Sequence, residues 1–426
     1  MYILLLLPLF VVATAQDHEN QGDLDSLIHY YNQYTTPPQP GDDSDTTTEN
    51  NLGVEKRDVK QEATFVYMPK NDSCRTVNNE QGKCVFYNLC NGIDVVSKDE
   101  AGMIELSIRR TLCSSYLKVC CPLSDLRSPE NLIIPRAITD SKKNESGQMP
   151  NSEARRPGCG WRNPDGVGMK TIGGTNGEAN YGEFPWVVTV YSQGGPEAIL
   201  YKGVGSLIHS SVVLTAAHIL PNEELPRLLV RAGNWDLYTD KEIYPHQDRD
   251  VESRVIHKDF NKGSLFYDIA LLFLSKPMDL APNVGIACLP LPRERVAGGT
   301  QCFSSWWPRE PVMGASILMK AEVRVVDRNS CRNDLRKTRL GEIFELHTSF
   351  MCTRNDNDSC LGVVGGAPLV CPIEFEDGRY MQSGIVAWDV GCEGNMVYVD
   401  VSNLRDWIDD KVKGRGYSTR EYSFNI

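Results

Sequence analysis

Three short segments of the sequence carry residues that could perform chemistry together. His218 closes the apolar stretch LTAAH, Asp268 opens DIALL further along, and the glycine-rich loop SCLGVVGGAPLVC lies nearer the C-terminus. A histidine that is oriented by a carboxylate can take the proton of a hydroxyl, whose oxygen then attacks a carbonyl carbon. The loop has no hydroxyl between Cys360 and Cys371, so this group of residues lacks its nucleophile.

The elements that must position these residues are short strands. From Cys159 onward, apolar or alternating runs are separated by clusters of Gly, Pro, Asn and Asp, which predicts an all-β barrel or sandwich. Two segments predict helices, one from Arg328 to Thr338 and one over SNLRDWIDDKV with Ser402 as its N-cap. We expect residues 413–426 to form a loose tail. The predicted strands include FPWVVTVY, GSLIHSSVVLTAAH, DIALLFL, AEVRVV, SGIVAW and VYVDV.

The N-terminal sequence predicts export. MYILLLLPLFVVATAQ is apolar but shorter than the about 20 residues that a membrane-spanning helix needs, and Ala13 and Ala15 are spaced for signal-peptidase cleavage. We therefore expect a signal peptide at residues 1–15 and a secreted protein. Residues 16–72 are acidic and poor in apolar positions, so we expect disorder there. The net charge of −12 argues against a nucleic-acid partner.

The 14 cysteines fall into two groups that divide the chain. In a secreted chain such an even set predicts disulfides rather than metal ligands, so no metal site and no cofactor is predicted. The first group occupies residues 73–122, a stretch too short to build its own hydrophobic core, so bridges must hold it together. Residues 123–158 have the composition of a linker, with Arg155 and Arg156 among its basic pairs.

AAH, DIALL and GGAPLVC in that order, with the helix that contains DWI, resemble the trypsin-like serine protease family over residues 159–412. The resemblance implies two six-stranded antiparallel β-barrels with the site between them. His218 would then be the base and Asp268 the residue that orients it. Gly203 and Ile219 occupy the positions of the family's bridge beside the histidine. The family's other pairings imply Cys159–Cys288, Cys302–Cys371, Cys331–Cys352 and Cys360–Cys392.

The nucleophile loop allows two alignments with this family. The family pattern C-x-G-D-S-G-G-P has one residue fewer between its Cys and Pro than this chain has between Cys360 and Pro368. Anchored on Pro368, the serine position is Gly365 and the aspartate position is Val364. Anchored on Cys360, they are Val364 and Val363. We prefer the first because GGAPLVC then aligns without a gap; both alignments lack the hydroxyl and the aspartate, which predicts that the protein is not an enzyme and that His218 and Asp268 are vestigial.

Activation and substrate binding are affected as well. A cut after Lys170 would create an ammonium at Thr171 that has no carboxylate to receive it, so we expect no activation by insertion of a new N-terminus. Asp358 matches the residue that makes the pocket prefer Lys or Arg. Asp389 and Met396 stand where glycines usually leave room for the substrate, so we expect a blocked pocket.

The first cysteine group has the spacing C-x9-C-x5-C-x22-C-x6-CC, which resembles the clip domain of arthropod proteases. Together with a protease domain that lacks its serine, it resembles the clip-domain serine protease homologs of the phenoloxidase-activating factor 2 type, clip subfamily A. The resemblance implies a haemolymph protein that regulates an innate immune cascade leading to prophenoloxidase activation and melanization. Its partners would be proteins of that cascade, prophenoloxidase itself, or further copies of this chain after cleavage, with no membrane partner. Family pairing implies Cys74–Cys120, Cys84–Cys113 and Cys90–Cys121.

Cleavage by an upstream trypsin-like protease is expected to regulate the protein, in the linker after Arg155 or Arg156 rather than after Lys170. A linker cut would free the clip, whereas a cut after Lys170 would leave the two pieces joined through Cys159–Cys288. Two alternatives stay open: an active trypsin-like serine endopeptidase, and a pattern-recognition protein that binds microbial surfaces. Sequons mark three candidate glycosylation sites, at Asn71, Asn144 and Asn357.

Overall fold

The computed structural model describes the clip module in part and the protease region almost throughout. The predicted signal peptide, the acidic segment and most of the linker lie outside the described residues. So do seven of the predicted site residues: Asn71, Asn144, Arg155, Asn357, Asp358, Cys360 and Cys392. The described residues are 73–76, 79–86, 90, 96–98, 104–107, 113, 118–126, 156–172, 177–193, 199–221, 227–237, 242–308, 317–355, 362–391 and 395–424.

The first half of the protease region forms a closed antiparallel barrel. Its strands are β7 (Val187–Gln193), β8 (Ile199–His209), β9 (Val212–Thr215), β10 (Arg227–Ala232), β11 (Gln247–Ile256) and β12 (Ala270–Leu274). They pair in the order β10-β11-β12-β9-β8-β7, and closure leaves no open sheet edge. Strands β9 and β12, with the sequences VVLT and ALLFL, are buried along their whole length, as expected for apolar, largely branched side chains that fill a small barrel.

The second half repeats this architecture. Its strands are β13 (Gln301–Trp306), β14 (Met319–Val326), β15 (Phe350–Arg354), β16 (Pro368–Pro372), β17 (Tyr380–Trp388) and β18 (Asn395–Asp400). They close in the order β13-β14-β15-β18-β17-β16. The predicted all-β fold with two six-stranded barrels is confirmed. Fully buried Trp186, Trp235 and Trp307 belong to a hydrophobic cluster that combines residues of this barrel with residues of the first half.

Two helices lie where the sequence predicts them, with one corrected boundary. Helix α1 spans Arg328–Arg336, and α2 spans Val401–Gly414. The N-cap of α2 is Asp400 rather than Ser402, because the Asp400 carboxylate accepts hydrogen bonds from the backbone N–H groups of Ser402 and Asn403. In the described part of the chain, neither helix is long and apolar enough to cross a bilayer.

The C-terminal segment does not form the loose tail that the sequence suggested. After α2 a 3-10 turn, Thr419–Tyr422, packs back onto the protease region. Tyr422 is fully buried, its carbonyl accepts a hydrogen bond from the Leu289 N–H, and its hydroxyl donates to Asp409 at 2.9 Å. Burying an aromatic ring provides the apolar gain that polar tail residues cannot offer.

The N-terminal module is a small sheet held by disulfides. Strands β1 (Ser73–Arg75), β2 (Gln81–Phe86) and β5 (Lys118–Pro122) pair in the order β1-β2-β5, followed by a 3-10 turn at Leu123–Asp125. Three of its cysteines place their sulfurs within 4.8 Å of one another, but each is in a disulfide and cannot bind a metal as a thiolate. The bonds are Cys74–Cys120, Cys84–Cys113 and Cys90–Cys121.

A third sheet joins the clip module to the protease region. Strand β4 (Ile104–Ser107) lies between β3 (Val96–Lys98) and β6 (Met169–Ile172). It runs antiparallel to β3 and parallel to β6. No pattern in the sequence predicts this pairing.

The segment that leads into β6 is anchored to the protease region. Cys159 is bonded to Cys288, as Cys302 is to Cys371 and Cys331 to Cys352. The fully buried Glu183 carboxylate forms ion pairs with Arg162 Nη2 at 2.6 Å and with Lys320 Nζ at 2.8 Å. A buried carboxylate is stable only when it is paired in this way, so the ion pairs hold the segment in place.

Candidate functional site

His218 and Asp268 meet because their strands are neighbours. Thr215, the last residue of β9, lies opposite Ala270, the first residue of β12. His218 follows β9 on a 3-10 turn and Asp268 precedes β12, so both side chains lie at the same end of the first barrel. The sequence analysis named both residues, and the structure brings them together.

Two hydrogen bonds join this pair. The His218 backbone N–H donates to Asp268 Oδ1 at 2.8 Å, and the imidazole Nδ1 lies 2.5 Å from Oδ2. Asp268 is fully buried. Since a carboxylate only accepts hydrogen bonds, the neutral imidazole that fits this contact carries its proton on Nδ1 and leaves Nε2 as the acceptor. This is the tautomer that a general base needs.

The residue that faces Nε2 is Gly365. A Cβ built on Gly365 would lie 2.1 Å from His218 Nε2 and 2.6 Å from Cε1, far inside van der Waals contact. Gly365 is the residue that the alignment anchored on Pro368 places at the serine position. In this arrangement the imidazole fills the space that any side chain at this position would need.

Ile219 closes the same space from another side. The Cβ built on Gly365 would also lie 3.0 Å from Ile219 Cγ2, and one built on Gly203 would lie 3.0 Å from Ile219 Cδ1. The Val204 N–H donates to the Gly365 carbonyl at 3.2 Å, which holds β8 against the loop. At the two positions that lack the family's bridge, the Ile219 side chain therefore packs against Gly203, and it also contacts Gly365.

The loop keeps its shape through backbone contacts. Gly366 has a φ of +85°, and a Cβ there would lie 2.0 Å from the Val204 carbonyl oxygen, so only glycine fits. Val364 is 2% exposed and packs in the hydrophobic core, leaving no carboxylate at this point of the loop. An ammonium inserted beside Val364 would be buried without a partner.

Met396, a residue of the predicted specificity pocket, lies on β18 two positions before Tyr398. The Tyr398 hydroxyl donates to Met396 Sδ at 3.1 Å, and burial raises the pKa of Tyr398 to about 12. Asp389, in contrast, is exposed, and its carboxylate accepts a hydrogen bond from the Gly391 N–H at 3.0 Å. The carboxylate thus bonds to its own loop.

The structure describes two of the basic residues predicted as cleavage sites, Arg156 and Lys170. The side chains of both form contacts with neighbouring residues. Arg156 Nη2 donates to the Arg162 carbonyl at 3.0 Å, and its guanidinium lies 4.5 Å from the centroid of the Trp161 ring. Lys170 lies within β6, and its Nζ lies 2.6 Å from Asp165 Oδ1.

The sequence matches two families. Residues 172–408 match the trypsin family, and residues 71–122 match the family described as the serine protease clip domain PPAF-2. The chain is a clip-domain member of the trypsin family.

Three relatives are similar to this chain over most of their own length. Phenoloxidase-activating factor 2 of Galleria mellonella is 53% identical over 317 residues, which are 70% of this chain and 100% of that protein. The inactive CLIP domain-containing serine protease A8 of Anopheles gambiae is 32% identical over 71% of this chain and 80% of its own length. The inactive protease A28 of the same mosquito is 32% identical over 70% and 78%. Clip-domain relatives of this chain thus include proteins named as inactive.

Sequence reasoning missed the contribution of Ile219 to the site. Gly203 and Ile219 were recognised as a lost bridge, but a bridge position carries no signal that its side chain reaches the nucleophile loop. The residue type offered a hint, because an apolar β-branched side chain next to His218 must pack against other apolar groups.

Proposed function

We propose that this clip-domain member of the trypsin family is a secreted, non-catalytic regulator of an innate immune protease cascade. It would act as a cofactor in prophenoloxidase activation and melanization. The observation that carries the proposal is the Gly365 position, which faces His218 Nε2 and has no room for a side chain. Removal of the nucleophile from a triad of this kind costs about a million-fold in turnover.

Three further features support the absence of catalysis. Val364 offers no carboxylate to a new N-terminus, so the zymogen switch of the family has no receiving group. Met396 places a flexible apolar side chain in the region of the specificity pocket. Ile219 packs against the loop at the point where the nucleophile would need space.

The names of the relatives suggest the pathway. The Galleria protein is named a phenoloxidase-activating factor, and the two mosquito proteins are named inactive. We extend both properties to this chain as a proposal. Its partners would then be clip proteases and prophenoloxidase in haemolymph, and cleaved copies would associate with one another.

Covalent labelling tests the absence of catalysis. The protein, before and after cleavage by a trypsin-like protease, is incubated with a fluorophosphonate probe that reacts with activated serines. We expect no labelling of this chain under conditions that label trypsin fully. Labelling that disappears in the His218→Ala variant would overturn the proposal.

A prophenoloxidase activation assay tests the regulatory function. Intact and pre-cleaved protein are added to prophenoloxidase together with a catalytic clip protease, and phenoloxidase activity is measured. We expect the activity to change with the dose of this chain and to change equally with the His218→Ala variant, because binding and not chemistry is responsible. An unchanged activity with both forms would refute the cofactor function.

A further inference from the structure

The Lys170–Thr171 peptide bond lies inside a ladder of backbone pairing with the clip module. Strand β4 pairs with β6 in parallel, with Glu105 opposite Lys170 and Leu106 opposite Thr171. Strand β3 covers the other edge of β4. The bond that would be cut in the activation of a trypsin-like zymogen is therefore part of a three-stranded sheet.

Such pairing hinders proteolysis for a geometric reason. A protein commonly binds an extended peptide by pairing with it as an added β-strand. The peptide must then have free backbone N–H and C=O groups along the edge that is bound. The edge of β6 that faces β4 is already paired. Cleavage of a paired strand then depends on how often the pairing opens, rather than on whether the side chain is exposed.

The lysine side chain by itself does not hide the bond. The Lys170 and Asp165 side chains are 40% and 64% exposed, and an ion pair this exposed is easily broken. A protease can therefore reach the side chain while the backbone stays paired.

Strand β6 cannot easily move away from β4. Its upstream segment is held by the Cys159–Cys288 disulfide, by the Gly160 N–H bonded to the Ile286 carbonyl at 2.7 Å, and by the ion pair of Arg162. Strand β4 must therefore move away from β6 before the backbone pairing between them can open.

We propose that β4 of the clip module shields the Lys170–Thr171 bond, so that this bond becomes cleavable only after the linker has been cut and the clip has left. The six clip cysteines are bonded to one another, so the linker is the covalent tether between clip and protease region. While the tether is intact, β4 stays at a high effective concentration beside β6. A cut after Arg155 or Arg156 removes that advantage. After the linker cut, the clip is still held by the pairing of β4 with β6 and leaves only when that pairing opens. The cut after Lys170 therefore follows the cut in the linker.

Limited proteolysis of the full chain tests this order. Trypsin is added at a low ratio, and mass spectrometry quantifies the new N-terminus at Thr171 and the new termini in the linker over time. We expect linker termini first. We expect Thr171 to appear at least tenfold faster in protein that has been cut in the linker and separated from its clip by gel filtration. The Lys170→Gln variant, which must lose the Thr171 terminus, confirms the assignment.

Matched proline variants locate the shield. Leu106→Pro interrupts β4 opposite Thr171, whereas Ser97→Pro interrupts β3, which does not contact β6. With the linker intact, we expect Leu106→Pro to speed the Thr171 cut at least tenfold and Ser97→Pro to change it less than threefold. Asp165→Asn, which removes only the ion pair, should change the rate less than twofold.

Two results would overturn the proposal. One is an equal rate of Thr171 formation in the intact and clip-free proteins, a comparison that needs no proline variant to fold. The other is an acceleration by Ser97→Pro or Asp165→Asn as large as that by Leu106→Pro. Neither comparison uses an activity readout, so the outcome is independent of the cofactor function proposed above.

Discussion

His218 and Asp268 keep two direct hydrogen bonds, whereas the loop that faces them is packed with apolar and glycine residues. Asp268 is fully buried, so loss of its partner would leave an unsatisfied carboxylate, which is costly. On the loop side, Val364 and Gly365 carry no polar side chain that would need a partner. A polar pair can therefore persist because it stabilises the fold, even where the facing loop carries only apolar side chains and glycines.

The largest expected effect comes from placing a carboxylate on the apolar side. Val364→Asp should lower the free energy of unfolding by about 3 kcal/mol or more, because the charge is buried without a partner. Urea denaturation at pH 7, followed by tryptophan fluorescence, measures it. The matched control Val364→Ala should lose about 2 kcal/mol through cavity formation. A Val364→Asp variant as stable as the control would show that a cation reaches this position.

A smaller loss is expected on the polar side. Asp268→Ala should lower the free energy of unfolding by about 2 to 3 kcal/mol, because the His218 backbone N–H and Nδ1–H both lose their acceptor. Asp268→Asn keeps a carbonyl oxygen and should lose about half as much. If Asp268→Ala were as stable as the wild type, the pair of His218 and Asp268 would not stabilise this end of the barrel. That result would contradict a stabilising function of the pair.

The contact between the two sides can be measured directly. Gly365→Ala should cost about 1 to 3 kcal/mol, because its Cβ would collide with the imidazole and with Ile219. In a double-mutant cycle with His218→Ala, the coupling energy should reach about 1 kcal/mol, since the smaller residue removes the collision. Strict additivity would contradict the close packing of Gly365 on His218.

Glu242, a partly buried carboxyl outside the site, should make the stability of the protein depend on pH. Burial raises the pKa of Glu242 to about 8, although its oxygen accepts backbone hydrogen bonds from Trp235 and Asp236. An unfolded Glu ionises near pH 4, so between there and about pH 8 the folded state holds the extra proton. The free energy of unfolding should therefore fall with rising pH by at most about 1.4 kcal/mol per pH unit.

Glu242→Gln provides the control for this titration. This substitution should remove the contribution of Glu242 to the fall of the unfolding free energy with pH. It preserves an oxygen that accepts the two backbone hydrogen bonds. Identical slopes in the wild type and the variant, measured by urea denaturation at several pH values, would contradict the shifted pKa.

Much of the fold followed from local patterns. The alternating apolar runs predicted the strands, and the spacing of polar and apolar residues predicted α1 and α2, because both signals lie within a few neighbouring residues. The N-cap of α2 was misplaced because Asp400 and Ser402 are both good caps, and sequence alone does not say which backbone turn forms. The tail was misjudged because burial of Tyr422 depends on a distant surface.

From the sequence it follows that the loop has no hydroxyl between Cys360 and Cys371, that His218 and Asp268 are present, and that six cysteines have clip spacing. Which loop residue faces Nε2 follows only from the folded chain, since one inserted residue leaves two alignments that only atomic distances can separate. The packing of Ile219 on Gly365 and the pairing of β4 with β6 follow from the folded chain as well. Both contacts join segments that are far apart in the chain, and backbone pairing at such distances leaves no local pattern to read.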